Sequence, residues 1–148
     1  MNAKEIILLA EDEENDVLLI RRAFQKVGFS GKLSIVRDGE EALSYLNGEG
    51  KFSDREQFPF PTIVITDLKM PRRNGFEILQ WLRDKPECVG LPILVLTSSP
   101  AEEDIKKAYR LGANSYFVKP PDFEQLQKLV SDVCNYWNLC RRPKVLRC

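Results

Sequence analysis

Four apolar runs in this chain each end on a polar residue. Ile6-Ile7-Leu8-Leu9-Ala10 is followed by Glu11 and Asp12, and Ile63-Val64-Ile65-Thr66 by Asp67. Ile93-Leu94-Val95-Leu96 is followed by Thr97, and Tyr116-Phe117-Val118 by Lys119. Runs this short and this apolar are strands covered on both faces, which is the pattern of a parallel sheet. A fifth short strand, Leu33 to Val36, is followed by Asp38 and Gly39, which lead into the next helix. Parallel strands need crossover connections, so the segments between these runs should be helical.

They have that periodicity. Val17, Ile20, Phe24 and Val27 recur at helical spacing, with Arg21, Arg22, Gln25 and Lys26 opposite, after a candidate cap at Asn15. A second helix is expected around Glu40–Leu46 and a third around Phe76–Arg83. Ser99-Pro100-Ala101-Glu102 has the form of a capping box with proline at the first helical position, and Gly112 suits the end of that fourth helix. Phe123, Leu126, Val130, Val133 and Trp137 share one face of a fifth helix opening near Asp122. Residues 47–61, with two glycines and two prolines, are expected to be an exposed loop. Five β-α units in series give an α/β fold: a flavodoxin-like (βα)5, doubly wound parallel sheet of strand order 2-1-3-4-5, in a single domain of residues 1–138 with a tail at 139–148.

Such sheets bind ligands beyond the carboxyl ends of their strands. In that order strands one and three are neighbours, so Glu11, Asp12 and Asp67 converge there. Three carboxylates without cysteine or histidine suit Mg²⁺, with Mn²⁺ as an alternative. A solvated acidic rim would show the same acids. Thr97 and Lys119 decide against it, because a hydroxyl donor and an ammonium beside a cation make a clamp for a phosphoryl group. Asp67 is then the nucleophile, since a carboxylate can form an acyl phosphate.

The 148 residues carry 22 basic and 22 acidic side chains and no histidine. A balanced charge offers no footprint for nucleic acid. The missing imidazole excludes His-based triads and a phosphohistidine donor role. No run is long enough to span a membrane and no signal pattern opens the chain, so a cytoplasmic protein is expected. The four cysteines form no C-x-x-C pair and are expected as unpaired thiols.

These residues resemble the receiver domain of two-component response regulators, the CheY-like superfamily. The matching stretches are Leu8-Leu9-Ala10-Glu11-Asp12, Ile65-Thr66-Asp67-Leu68-Lys69-Met70-Pro71 with Asn74-Gly75, Val95-Leu96-Thr97-Ser98, and Gly112 through Pro120, and the likeness covers residues 4–138. The resemblance implies Asp67 as phosphoacceptor from a sensor histidine kinase. It implies Mg²⁺ on Glu11, Asp12, Asp67 and the Lys69 backbone carbonyl, with Thr97 and Lys119 on the phosphoryl group. It further implies a cis Lys119-Pro120 bond, Tyr116 as an aromatic switch coupled to Thr97, and tuning of dephosphorylation by the side chains of Lys69 and Ser99.

No output domain is expected after the last helix, and the basic tail residues Arg141, Arg142, Lys144 and Arg147 are expected to be solvated. A signalling, non-enzymatic role through protein–protein contact follows, with a homodimer formed through residues 100–138. The long loop before strand three and the Glu102–Tyr109 helix resemble stand-alone regulators that partner phytochrome-type kinases. A haloacid-dehalogenase-like phosphatase would need aspartate where Lys69 stands. A pseudo-receiver would lack an acid, the threonine or the lysine, and none is missing.

Overall fold

A computed structural model describes residues 5–143. Five strands, β1 (Ile6–Ala10), β2 (Lys32–Val36), β3 (Ile63–Thr66), β4 (Ile93–Thr97) and β5 (Ser115–Val118), alternate with helices α1 (Glu14–Lys26), α2 (Gly39–Asn47), α3 (Gly75–Arg83), α4 (Glu102–Arg110) and α5 (Phe123–Leu139). All pairings are parallel and the order is β2-β1-β3-β4-β5. The expected topology is therefore the observed one.

Side-chain alternation along the strands explains why every central position is apolar. Ile7, Leu9, Ile63, Ile65, Leu94 and Leu96 point to one face and pack with Ile20, Phe24, Leu126 and Val130 of α1 and α5. Leu8, Ala10, Val64, Ile93 and Val95 point to the other and pack with residues of α2, α3 and α4. Each fully buried leucine or isoleucine contributes about 1.5–3 kcal/mol from removal of its apolar surface from water. The helices differ in how firmly they join this core. α1 buries Val17, Ile20, Ala23 and Phe24, whereas α4 buries Ala108 alone. Gly112, at φ +101°, closes α4 as expected: its N–H reaches the Tyr109 carbonyl and that of Ala113 reaches the Ala108 carbonyl.

Several local expectations are corrected. α1 starts at Glu14 with Glu13 as its first flanking residue, so Asn15 lies inside the first turn rather than capping it. α4 starts two residues later than the Ser99 capping box predicts, because the Ser99 hydroxyl donates to Asp104 (2.6 Å) and accepts from the Ala101 N–H (3.3 Å). The 47–61 loop is not a solvated excursion. It holds a short 3₁₀ turn (Gly50–Phe52) with Phe52 buried; Phe58 meets Phe52 and Tyr45 edgewise, and Phe52 lies tilted against Tyr45. Arg55 fastens it, donating to the carbonyls of Tyr45 (2.8 Å), Leu46 (2.8 Å) and Phe58 (3.1 Å). Those first two carbonyls belong to the last turn of α2, and the Gly48 N–H also donates to that of Tyr45 (3.1 Å).

Arg142 is also not a solvated tail residue. Its guanidinium pairs with Glu5 and lies 5.4 Å from the Trp137 ring centre. Lys144 and Arg147 lie outside the described residues. Cys134 and Cys140 are free thiols, as expected, but Cys88 is disulfide-bonded. Among the described residues no helix is long and apolar enough to cross a membrane.

Arg55→Ala should lower unfolding free energy by roughly 1–3 kcal/mol, the range for hydrogen bonds from a charged donor to backbone carbonyls. Urea denaturation of the variant checks this; an unchanged midpoint with an unchanged slope would show that the loop is held by its aromatic rings alone.

Candidate functional site

The strand ladder runs one residue beyond β1, β3 and β5, and that extension builds the site. The N–H of Glu11 donates to the Val36 carbonyl (3.0 Å), that of Asp67 to the Ala10 carbonyl (3.0 Å), and that of Lys119 to the Thr97 carbonyl (2.7 Å). Three functional side chains thus leave backbone that is still sheet. The turn after Asp67 is pressed against the start of α3. A Cβ on Gly75 would stand 2.2 Å from the Asp67 carbonyl oxygen, so only glycine lets the helix begin here.

At the centre is the Lys119 ammonium. Its Nζ lies 2.6 Å from Glu11 Oε1, 2.7 Å from Asp16 Oδ2 and 2.8 Å from Asp67 Oδ2. The side chains of Glu11, Asp67 and Lys119 are 1%, 9% and 12% exposed. Asp67 Oδ1 accepts from the Leu68 N–H (2.6 Å) and, at longer range, the Lys69 N–H (3.4 Å). Glu11 Oε2 accepts from the Glu13 N–H (3.1 Å).

Burial and these contacts pull the groups apart. Burial pushes the Glu11 carboxyl up to about 7, against the opposing pull of Lys119. Burial also acts to raise Asp67, but the Lys119 ammonium, the Thr97 hydroxyl and the Leu68 N–H outweigh it and hold that carboxyl below its ordinary value. Lys119 is held above the ordinary lysine value: burial opposes its charge, and hydrogen bonds to Asp16, Asp67 and Glu11 overcome that. The site therefore favours an ionised Asp67 beside a protonated Lys119.

Glu11, Asp12 and Asp67 each place a carboxylate oxygen within 4.8 Å of the others. An all-oxygen set of this span fits a hard divalent cation. An open cavity of about 520 Å³ leads to it, lined by Asp12, Asp67, Lys69, Thr97, Ser99 and Lys119 among others. Six of the seven expected site residues (Glu11, Asp12, Asp67, Lys69, Thr97 and Lys119) therefore converge. Tyr116 stands apart: its ring packs beside the α2–α4 core and its hydroxyl donates to the Ser99 carbonyl (2.8 Å), two residues past Thr97.

Two corrections apply. The Lys119-Pro120 bond is trans, there being no cis peptide among the described residues. The Lys119 amine reaches all three acids from a trans bond, so no isomer is needed to place it, and trans is the favoured form. Asp16 was absent from the expected site. Its signal was available: Asp16 sits one turn before the buried Ile20 on the inward stripe of α1, where the core ends and the sheet's carboxyl edge begins.

A family model for the response regulator receiver domain matches residues 7–131. This chain belongs to that family. The "Probable methanogenesis regulatory protein FilR2" of Methanothrix harundinacea is 37% identical over 135 residues, covering 89% of this chain and 83% of FilR2. The response regulator Rcp1 of Synechocystis is 31% identical over 136 residues, covering 92% of this chain and 90% of Rcp1. The solved Mn²⁺-bound form of Rcp1 superposes with a TM-score of 0.84 at 30% identity, over 95% of this chain and 99% of that one. The phosphorylated cyanobacterial phytochrome response regulator RcpA superposes with a TM-score of 0.87 at 31% identity, over 96% of this chain and all (100%) of that one. This receiver domain works in phosphorylation-based two-component signalling, in which receivers bind a divalent metal and meet histidine kinases.

Lys119→Met should cost about 3 kcal/mol at pH 8, the scale for leaving buried charge uncompensated. The sign with pH follows from Glu11. Its raised value means that stability from the protonated form is complete below pH 4.5 and lost as pH rises through about 7. The variant's deficit should therefore shrink at pH 5. Thermal melts of both proteins at the two pH values check this, and an equal deficit at both would contradict the burial of Glu11's charge.

Proposed function

We propose that this receiver accepts a phosphoryl group on Asp67 from a sensor histidine kinase and signals through its own surface. The observation that carries the reading is the Lys119 ammonium 2.8 Å from an Asp67 carboxylate held ionised in a cavity open to solvent. An Asp67 oxygen forms the new bond to phosphorus as the P–N bond of the phosphohistidine breaks, its electron pair leaving with the imidazole nitrogen. Lys119 and the Thr97 hydroxyl are placed to meet the phosphoryl oxygens. Glu11, Asp12, Asp67 and the Lys69 carbonyl would hold Mg²⁺, or Mn²⁺, which would supply positive charge to neutralise the transferring group.

Tyr116 takes the part of a reporter in this reading. Its hydroxyl is tied to the Ser99 carbonyl, so a shift of Thr97 toward a phosphoryl group would move that anchor. The Ser99 hydroxyl is engaged by Asp104, which leaves Lys69, exposed at the cavity rim, as the side chain better placed to tune loss of the phosphoryl group. The output surface is residues 100–138, and a homodimer through it is supported by the edge position of β5 and by Val118, Tyr109 and Tyr136, which are 43%, 48% and 61% exposed. The likeness to RcpA supports a phytochrome-type kinase as partner, and a cytoplasmic exchange is part of this reading. The receiver unit in this reading is residues 1–138, with 139–148 as a tail.

Incubation with acetyl phosphate and Mg²⁺ should add one phosphoryl group by intact mass, with no gain in Asp67→Asn. A folded wild type that gains nothing would remove the acceptor role and leave a binding module.

Cation affinity should also follow the Glu11 proton. Below about pH 7 that carboxyl is protonated in the metal-free protein and must lose its proton to serve as a ligand. Mg²⁺ binding, titrated by tryptophan fluorescence or calorimetry, should weaken several-fold from pH 8 to pH 6. Affinity independent of pH across that range would take Glu11 out of the ligand set.

A further inference from the structure

We propose that Asp16 is a positioning residue: its carboxylate, on the first turn of α1, anchors the Lys119 ammonium and so sets how fast Asp67 takes a phosphoryl group. The rate effect rests on the reading of Asp67 as acceptor; the anchoring itself does not.

An ammonium has three N–H donors. Here each has a carboxylate: Glu11 at 2.6 Å, Asp16 at 2.7 Å and Asp67 at 2.8 Å. The three acids are not equivalent. Glu11 and Asp67 also accept from backbone N–H groups and belong with Asp12 to the oxygen cluster that spans 4.8 Å. Asp16 is outside that cluster, and its hydrogen bond is to Lys119. It is also the most exposed of the three, at 32%.

A lysine reaches its target on a flexible four-carbon stem, and one contact would leave that stem free to turn. Two fixed contacts define where the third N–H points. Glu11 fixes one through β1. Asp16 fixes the other through α1, whose backbone is immobilised by Val17, Ile20, Ala23 and Phe24 in the core. The Lys119 backbone is itself tied to the Thr97 carbonyl at 2.7 Å. The remaining N–H is then aimed at the Asp67 oxygen that meets the incoming phosphorus. As that oxygen forms its bond and the P–O bond of a donor such as acetyl phosphate breaks, acetate leaving with the electron pair, the same N–H turns to a phosphoryl oxygen while the other two stay engaged. Preorganisation of this kind speeds a step without adding a new contact in it.

The test compares the full chain with Asp16→Asn, Asp16→Ala and Asp16→Glu. The first measurement is the maximal rate of phosphorylation by saturating acetyl phosphate, with the half-saturating Mg²⁺ concentration read alongside. The second is the Lys119 ammonium signal in ¹⁵N NMR of the metal-free protein. We expect about a tenfold lower maximal rate in the Asn and Ala variants, well within the penalty for a misplaced catalytic group. Partial recovery is expected in the Glu variant, with Mg²⁺ half-saturation unchanged within twofold. The ammonium signal, sharp in wild type, should broaden in Asp16→Ala. A rate within twofold of wild type overturns the proposal, as does an unaltered ammonium signal. A rate loss matched by an equal loss of Mg²⁺ affinity overturns it too, since Asp16 would then act on the cation. A wild type that takes no phosphoryl group refutes the acceptor reading and with it the rate effect, while the ammonium signal still decides whether Asp16 anchors the lysine.

Discussion

One buried ammonium holds the working end of this protein together. Strand order forces Glu11 and Asp67 side by side at the carboxyl edge of the sheet, and α1 adds Asp16 from above. Without compensation, this much negative charge at so little exposure would protonate or push the strand ends apart. Lys119 reaches across from β5 to meet all three acids. Its backbone N–H on the Thr97 carbonyl makes that reach short and repeatable. The residue that permits the acids to coexist is thus also the one that, in the proposed function, faces the phosphoryl group.

The site's other constraints are backbone constraints. Gly75 lets α3 start in contact with the Asp67 carbonyl, and the Leu68 N–H fixes one oxygen of the Asp67 carboxylate, leaving the other to Lys119. On the next loop, Asp38 caps α2 through the Glu41 N–H (2.7 Å) and pairs with Arg72, which sits at φ +66°. The turn that follows Asp67 is therefore pinned on its far side as well, by an ion pair that keeps a non-glycine residue in left-handed backbone.

The fold was legible because both its faces are covered. Strands such as Ile63–Thr66 must be apolar throughout, and the first polar residue after each one marks the sheet edge where a ligand can sit. What escaped was chemistry set by contacts between distant segments. Arg55 closes the 47–61 loop by donating to carbonyls of α2, and no local pattern announces a guanidinium–carbonyl contact nine or ten residues away. Ser99 has the spelling of a cap, yet Asp104 takes its hydroxyl and the helix begins later. Asp16 reads as one acid in an acidic first turn until the position of Lys119 gives it a partner. Arg142 reads as tail charge until Glu5 is seen beneath it.

The uneven burial of the helices gives the molecule a direction of compliance. α1 is riveted to the sheet by four core side chains, and its partner α5 lies along it. α4 touches the core through a single alanine, Ala108, and is held at its ends by a glycine turn on one side and the Ser99–Asp104 pair on the other. Displacing it would uncover little apolar surface and break few contacts, whereas displacing α1 would open the core. A disturbance at Thr97 therefore finds its softest route outward through Ser99 into α4 and the neighbouring sheet edge, and its stiffest toward α1. The protein is built as a rigid anvil with one hinged plate, and the plate lies next to β5, an edge strand of the sheet.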